Sequence, residues 1–223
     1  MNNKYEIMKK EVKNVFPEEE PLVKYNISYP EFVKTGYSSR AKGDGFEKRF
    51  NGFYELLSKR FEEFSKTKLY KEAQRYKALC DKEFEKFGAV LRYICSYSDE
   101  NLISVVIDVH LFCGEKQETK RISQNWDVSS GRILVYEDFF NENDLNNILI
   151  GIKSEARLRR DVENYVFIKD YEKRIKKGFS KNNFYLTPKG YGFFYPPSFL
   201  SENNSPDVFF LLGFKGGGKF NPY

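Results

Sequence analysis

The sequence predicts an α+β fold, in which a mainly antiparallel sheet carries one long amphipathic helix and two shorter helices. Apolar residues alternate with polar ones in several segments, and aromatic residues recur at helical spacing in one long segment. The extended segments lie on both sides of the helical ones, and no linker is long enough to force a boundary. We therefore expect a single α+β domain over residues 1–223. A strand–helix lobe over 1–82 and a sheet–helix lobe over 83–214 are the alternative, and residues 215–223 are expected to form a flexible Gly-rich tail.

The first two predicted strands come from the N-terminal region. Residues 5–16 have an extended pattern, and in "LVKYNISYP" the residues Val23, Tyr25, Ile27 and Tyr29 alternate with polar ones. This period of two is typical of a half-buried strand. Pro30 has no amide hydrogen, so it is expected to end the second strand.

A long amphipathic helix is predicted to begin near Asp44. Its apolar positions form one broad stripe, and lysine and glutamate fill the opposite face. The stripe consists of Phe46, Phe50, Phe53, Tyr54, Leu57, Phe61 and Phe64. The later stretch "YKEAQRYKALCDKEF" contains no proline or glycine, so the helix is expected to extend toward Leu79. A stripe this regular indicates a helix packed on a sheet rather than a ligand platform.

The central part of the chain predicts a meander of antiparallel strands. The apolar runs "AVLRYICSYS" and "LISVVIDVHLF" are joined by "DEN", which is typical of a hairpin turn. The extended run "QETKRISQNWDV" follows, and "SSGR" then turns the chain into a further predicted strand, "ILVYEDFF".

The two shorter helices are predicted in "NENDLNNILIGIKSEARLRR" and "DYEKRIKKGFS". The first opens with capping residues, and the second ends near Gly178 with basic residues in its last turn, as the helix dipole favours. After them, "NNFYLTPKGYGFFYPPSFL" reads as a hairpin around the turn at Pro188 to Gly190, and "DVFFLLGF" as a last strand.

Composition argues against several classes of function. The charge of +5 comes from 37 basic and 32 acidic residues that are spread along the chain, so we expect nucleic-acid binding to be weak at most. The three cysteines form no C-x-x-C pair and His110 is the only histidine, so we expect no metal site and no cofactor. Free thiols fit a reducing compartment.

The N-terminus favours a cytoplasmic location. It has no apolar leader segment and no small-residue cleavage site, and no stretch approaches the roughly 20 apolar residues of a membrane helix. The charged fraction of 31% is typical of a soluble protein. The chain as written is therefore expected to be cytoplasmic, and extracytoplasmic if an upstream anchor has been removed.

The C-terminal "LLGFKGGGKFNPY" resembles the start of a phosphate-binding P-loop. Phe220 stands where a P-loop has the Ser or Thr that holds Mg²⁺. Too few residues follow Gly218 to build the helix whose N-terminus would face the phosphate. The segment is therefore expected to be a tail rather than a nucleotide site.

No residue is predicted to be catalytic. Asp108, Asp127, Glu137 and Asp138 are the carboxylates that a glycan-acting hydrolase would use, but carboxylates are common at strand ends. His110 lies in an apolar strand, which favours a hydrogen-bonded structural role over a general base. A hydrolase therefore remains an alternative to a non-enzymatic role.

Two segments are candidates for binding. In "YGFFYPPSFL" the rings of Tyr191, Phe193, Phe194 and Tyr195 are predicted to contact a ligand, with core packing as the alternative. Basic residues are also dense between Arg157 and Lys177, but acidic residues are interleaved with them. That pattern indicates salt-bridged helix faces, and weak nucleic-acid binding there is the alternative.

The order of these segments resembles a family of bacterial domains of unknown function. Its members include the extracellular part of RsiV-like anti-sigma factors, which bind lysozyme, and the N-terminal domain of some peptidoglycan deacetylases. The resemblance rests on "YNISYPEF", the long helix, the hairpin "AVLRYICSYSDENLISVVIDVHLF", "WDVSSGRILVYEDFF" and "NFYLTPKGYGFFYPPSFL", and covers roughly residues 22–214. Many members carry Gly-Gly-Ala-His after the second hairpin strand, where this chain has "FCGEKQET".

The resemblance implies a mixed sheet with helices packed on it. It does not imply sigma-factor control, because this chain has neither the membrane helix nor the sigma-binding segment, nor deacetylase activity, which belongs to a separate domain. By analogy it suggests a non-enzymatic binding or sensing module for a protein or a cell-wall saccharide.

Overall fold

The computed structural model describes residues 5–35, 44–79, 84–201 and 208–213. The predicted Gly-rich tail and the lobe boundary at Lys82 lie outside these residues. The described elements, in chain order, are β1 (Tyr5–Phe16), β2 (Val23–Lys34), α1 (Asp44–Phe64), a π-helical turn (Ser65–Leu69), α2 (Tyr70–Leu79), β3 (Phe87–Ser98), β4 (Leu102–Cys113), β5 (Lys116–Asp127), β6 (Arg132–Leu134), a 3₁₀ turn (Tyr136–Asp138), α3 (Asp144–Val162), α4 (Tyr171–Gly178), β7 (Phe184–Thr187), β8 (Gly190–Tyr195) and β9 (Val208–Gly213).

The α+β class and the mainly antiparallel pairing are confirmed, but the described strands form two sheets rather than one. The first has the order β1-β2-β3-β4-β5-β6 and the second the order β7-β8-β9. One pair, β2 with β3, is parallel. The helical segment between these strands carries the chain back to the end of the sheet where β2 began, and a strand that follows such a crossover pairs in parallel.

The chain falls into two compact units. The first unit comprises Met1–Cys95, Ile107–Lys120 and Val128–Arg132, as far as the structure describes them. The second unit comprises Ser96–Val106, Arg121–Asp127 and the described residues from Ile133 onward. The number of independent domains stays a prediction.

In the first unit, α1 packs on β2 through the predicted aromatic stripe. Phe46, Phe50 and Tyr54 are 2%, 0% and 0% exposed. The ring of Phe32 in β2 lies edge-on to that of Phe46, with 4.9 Å between their centroids. Further along α1, the Tyr25 hydroxyl donates a hydrogen bond to the Glu62 carboxylate at 2.9 Å. Three members of the stripe are therefore buried against the sheet, as the sequence indicates, whereas the other four are only partly buried.

The α1 residue Asn51 completes the hydrogen bonding of β2. Its Nδ2 donates to the carbonyl oxygen of Phe32 at 3.0 Å, and its Oδ1 accepts from the amide of Phe32 at 2.7 Å. The parallel ladder between β2 and β3 covers Val23–Ile27 and Phe87–Leu91, so Phe32 lies beyond it. The side-chain amide thus occupies the place of a neighbouring strand.

The prediction that Pro30 ends the second strand is wrong. β2 continues to Lys34, and Pro30 is paired in register with Lys9 of β1. The polar groups of Phe32 point toward Asn51 and away from β1, and residues two apart in a strand face the same way. The imide nitrogen of Pro30 therefore faces away from β1 as well, where its missing hydrogen costs no bond of the antiparallel ladder.

The second unit contains the β7-β8-β9 sheet together with α3 and α4. Its core includes Ile152 of α3, Ile175 of α4 and Phe210 of β9, each 0% exposed. The predicted strand "ILVYEDFF" is only partly a strand, because β6 ends at Leu134 and a 3₁₀ turn follows. The Asp138 carboxylate accepts a hydrogen bond from the amide of Val135 at 2.7 Å, which caps that turn.

Replacing Asn51 with alanine is expected to lower the free energy of unfolding by about 1–3 kcal/mol, because the partly buried polar groups of Phe32 lose their partner. Alanine favours a helix more than asparagine does, so helix propensity cannot account for a loss. Urea denaturation of Asn51→Ala beside the exposed Lys48→Ala measures the difference. Equal stability of the two variants would contradict the bridging role.

Candidate functional site

The four residues predicted to bind a ligand lie in β8, the middle strand of the second sheet. Phe193, Phe194 and Tyr195 are 1%, 3% and 1% exposed, and Tyr191 is half-buried. Both edges of β8 are paired, with β7 on one side and β9 on the other. The ring of Phe193 packs near those of Phe140, Phe179 and Phe184. These rings are occupied by core contacts in this structure, and their role in ligand binding stays a prediction.

Tyr195 closes the end of α4. Its hydroxyl donates a hydrogen bond to the carbonyl oxygen of Ile175 at 3.0 Å. The last carbonyls of a helix have no partner within the helix, so a buried side chain that reaches one of them stabilises the helix end. Burial also raises the pKa of Tyr195, because the phenolate would lose its hydration.

Tyr191 packs against Phe140 and Phe139, with centroid distances of 4.6 and 6.3 Å. Burial raises the pKa of Tyr191 to about 12, and the negative charge of Asp144 acts in the same direction. Tyr191 is the most accessible of the four predicted residues, and its hydroxyl stays protonated at neutral pH.

The carboxylates considered for hydrolysis have structural surroundings. Glu137 bonds the Lys181 ammonium at 2.7 Å, and this bond lowers the pKa of Glu137. A general acid needs the opposite shift. Asp138 caps the 3₁₀ turn, Asp127 is buried at the end of β5, and Asp108 lies in β4. No geometry among the described residues therefore supports a pair of catalytic carboxylates.

Three further residues, His110, Ser104 and Cys113, have side chains of the types that nucleophilic catalysis uses, and their surroundings do not activate them. His110 Nδ1 lies 3.1 Å from the Thr119 hydroxyl on the neighbouring strand. Ser104 is buried, and its Oγ accepts a hydrogen bond from the amide of Leu186 at 3.0 Å. Burial raises the pKa of the Cys113 thiol, which disfavours the reactive thiolate. Within the described part of the chain, no group of three or more His, Cys, Asp or Glu side chains could hold a metal ion.

Two ion pairs confirm the predicted salt bridging for the arginines of α3, but the described lysines of α4 form none. Arg157 bonds Glu172 through two nitrogens, at 2.8 and 2.9 Å, and Arg160 bonds Asp161 at 2.8 Å.

None of the described helices is both long and apolar enough to cross a membrane.

A polar depression of about 550 Å³ lies on the first unit, and sequence reasoning did not identify it. Three strands supply its walls. The lining residues are Ile7, Lys9 and Glu11 of β1, Asn26 and Ser28 of β2, and Arg92, Tyr93 and Cys95 of β3. The polar positions of the alternating N-terminal strands were the one sequence signal for this depression, but the same pattern is typical of a sheet face that contacts solvent.

The depression lies where β2 and β3 cease to pair. Their ladder ends at Ile27 and Leu91, and Arg92 and Tyr93 follow directly on β3. Consecutive side chains of a regular strand point to opposite faces, yet both of these line the depression. It therefore opens beside the unpaired edge of β3. The Ser28 hydroxyl, which donates to the Leu91 carbonyl at 3.4 Å, spans the end of the ladder.

The depression contains groups of both charges. Glu11 lies between Lys9 and Lys13, each 3.1 Å away, and hydrogen bonds from these two ammonium groups lower the pKa of Glu11. Arg92, by contrast, is exposed and forms no ion pair with any described residue. One guanidinium therefore remains available to a ligand.

Two further polar groups define the walls. The Tyr93 hydroxyl donates to the carbonyl oxygen of Met8 at 3.2 Å, which holds the ring across the depression, and burial raises the pKa of Tyr93. Asn26 Oδ1 is shielded from solvent and has no hydrogen-bond partner among the described residues. An acceptor in that state gains free energy from any donor that a small side-chain rotation lets it reach.

Comparison with known proteins gives a result at the level of the fold. No family model matches the sequence, and no curated protein matches it. A crystal structure of a DUF3298 family member from Bacteroides fragilis superposes with a TM-score of 0.61 at 13% identity, covering 94% of this chain and 89% of the other.

This chain shares its fold with DUF3298 proteins. A second DUF3298 structure, from Pseudomonas aeruginosa PAO1, has a TM-score of 0.58 at 12% identity, with the same coverage of 94% and 89%. The expected resemblance to a bacterial domain of unknown function is thus supported by structure. The more specific relation to RsiV-like proteins stays a prediction.

Replacing Tyr195 with phenylalanine is expected to lower the free energy of unfolding by about 1–3 kcal/mol, since the buried carbonyl of Ile175 loses its donor. Tyr165→Phe is the matched control, because the Tyr165 hydroxyl has no hydrogen bond among the described residues. Chemical denaturation compares the two. If the free energy of unfolding falls equally little in both variants, the Tyr195 hydroxyl does not cap α4.

The raised pKa of Tyr191 predicts a loss of stability in alkali. Between pH 10 and about 12 the unfolded chain releases this proton and the folded chain keeps it, so the free energy of unfolding falls as pH rises. In Tyr191→Phe the fall should be shallower over this range. Parallel curves for the variant and the wild type would show that Tyr191 titrates normally.

Proposed function

We propose that this chain is a non-enzymatic binding module that holds a short, carboxylate-bearing glycan in the depression of the first unit. The observation that carries the proposal is the exposed Arg92, a cation without an ion-pair partner among the described residues, beside hydrogen-bonding groups at the end of the β2–β3 ladder. The shared fold with DUF3298 proteins is compatible with this role but does not specify a ligand.

The size of the depression favours a small ligand. Its volume of about 550 Å³ falls within the roughly 300–1,000 Å³ that is usual for small-molecule sites. A stable protein partner would instead require about 800 Å² of surface on each side. The depression alone therefore fits one or two sugar units better than a folded protein.

Its chemistry favours a polar ligand with one negative charge. The Ser28 hydroxyl and the Asn26 amide can exchange hydrogen bonds with sugar hydroxyl or acetamido groups, and the Tyr93 ring adds an apolar surface. The Arg92 fork matches a carboxylate in two parallel hydrogen bonds. Glu11, already bonded by Lys9 and Lys13, repels such a ligand less than an isolated carboxylate would.

The glycan-hydrolase alternative gains no support from the described carboxylates, as their contacts above indicate. In this proposal the aromatic residues of β8 maintain the core of the second unit, and ligand contacts come from the first unit. A cell-wall saccharide remains the ligand class, now with a carboxylate as the preferred feature.

Titration calorimetry with two disaccharides tests the proposal. The wild type should bind N-acetylglucosaminyl-N-acetylmuramic acid at least about tenfold more tightly than chitobiose, which has no carboxylate, because a charge-assisted bidentate contact is worth about 1.5–3 kcal/mol. Arg92→Gln should remove that preference, while Arg75→Gln, an exposed arginine of α2, should keep it.

Equal binding of the two disaccharides, or a preference that survives Arg92→Gln, would refute the carboxylate contact. Absence of binding to both disaccharides would refute the glycan proposal as a whole.

A further inference from the structure

The second unit contains a groove between α3 and α4 that is lined almost entirely by lysine. Its volume is about 540 Å³. The lining residues are Lys153 of α3 and Glu172, Lys173, Lys176 and Lys177 of α4. This surface is separate from the depression of the first unit and plays no part in the proposed glycan site.

The lysines of the groove have no salt-bridge partner among the described residues, although the charge of Lys153 also acts on Glu172. Glu172 is its only acidic lining residue, and both oxygens of that carboxylate are taken by Arg157, at 2.8 and 2.9 Å. These bonds lower the pKa of Glu172 and hold it ionised and paired. Across the described residues, none of the four lysine ammonium groups forms an ion pair.

The position of the lysines follows from the amphipathic pattern of α4. Tyr171 and Ile175 are buried, so the other face of this short helix carries Lys173, Lys176 and Lys177. Like charges three and four residues apart destabilise a helix by a few tenths of a kcal/mol. The helix dipole offsets this for lysines of the last turn, but Lys173 lies before that turn. Helix stability alone therefore does not explain the cluster.

We propose that this groove binds a flexible polyanion through its phosphate groups. The arginine fork binds carboxylate and phosphate alike in two parallel bonds, whereas lysine is a compact point charge that binds phosphate without a fixed geometry. The chain itself uses that fork on the Glu172 carboxylate, through Arg157. The lysines are left for an anion that needs no planar partner.

The lining also distinguishes a simple phosphate polymer from a nucleic acid. Proteins that hold single-stranded nucleic acid combine basic grooves with aromatic rings on which bases stack. None of the residues that line this groove is aromatic. The groove can therefore bind the closely spaced charges of a ligand backbone, but it offers no surface on which bases stack. This favours a polymer without bases.

Calorimetric titration with short-chain inorganic polyphosphate, at several salt concentrations, tests this site in the full chain. For the wild type, the logarithm of the association constant should fall linearly with the logarithm of salt concentration. Lys173→Glu/Lys176→Glu should weaken binding at least about tenfold at low salt and make the slope shallower by about two. Lys169→Glu/Lys189→Glu changes the net charge equally with exposed lysines outside the groove, and should retain most of the affinity.

Equal losses in the two double variants would overturn the groove as the site and leave only a general effect of net charge. Two further probes test the chemistry. Poly-glutamate that binds as tightly as polyphosphate would overturn the phosphate preference. If single-stranded DNA of equal charge binds more tightly than polyphosphate, the ligand is a nucleic acid, and the inference of a polymer without bases is wrong. Wild-type protein that binds no polyphosphate at low salt would refute the proposal.

Discussion

The packing of the aromatic face of α1 on β2 is the interaction on which the first unit depends. Phe46, Phe50 and Tyr54 are buried almost completely, and Phe32 meets them from the strand. Burying aromatic rings of this size contributes several kcal/mol, which offsets much of the entropy lost in ordering the helix. The helix that this packing fixes is also the crossover between β2 and β3, so the packing and the parallel pairing are parts of one constraint.

The proposed site is a consequence of that constraint. The parallel ladder covers five residues of each strand and then ends, although both strands continue. The backbone groups past its end need other partners, and Asn51 serves β2 in this way. On the β3 side, Arg92 and Tyr93 border an open edge. A longer ladder would have filled the space in which the polar depression lies.

How much could be predicted from the sequence depended on whether a feature was local. Two features are local patterns with one physical interpretation: the stripe beginning at Phe46 and the turn at "DEN". In that turn the Asp99 carboxylate accepts hydrogen bonds from the amides of Asn101 and Leu102. The extent of β2 past Pro30 is not a local feature, because it depends on which side of the strand is paired. The parallel pair and the second sheet also required knowledge of long-range partners.

The candidate sites show the same division. The rings of β8 were predicted to bind a ligand because aromatic residues are dense in that segment. A dense apolar run in a central strand is, however, also what a core requires. The depression draws single polar residues from three strands, none of them unusual alone. Only the register of β1, β2 and β3 brings Lys9, Asn26 and Arg92 to one place.

The most direct test of the account is the pattern of nuclear Overhauser effects between β2 and β3 in the isotope-labelled chain. We expect contacts of a parallel ladder from Val23 with Phe87 up to Ile27 with Leu91, and none that continue to Tyr29 with Tyr93. Antiparallel contacts between these strands, or a ladder that runs on through Arg92 and Tyr93, would contradict both the crossover and the open edge beside the depression.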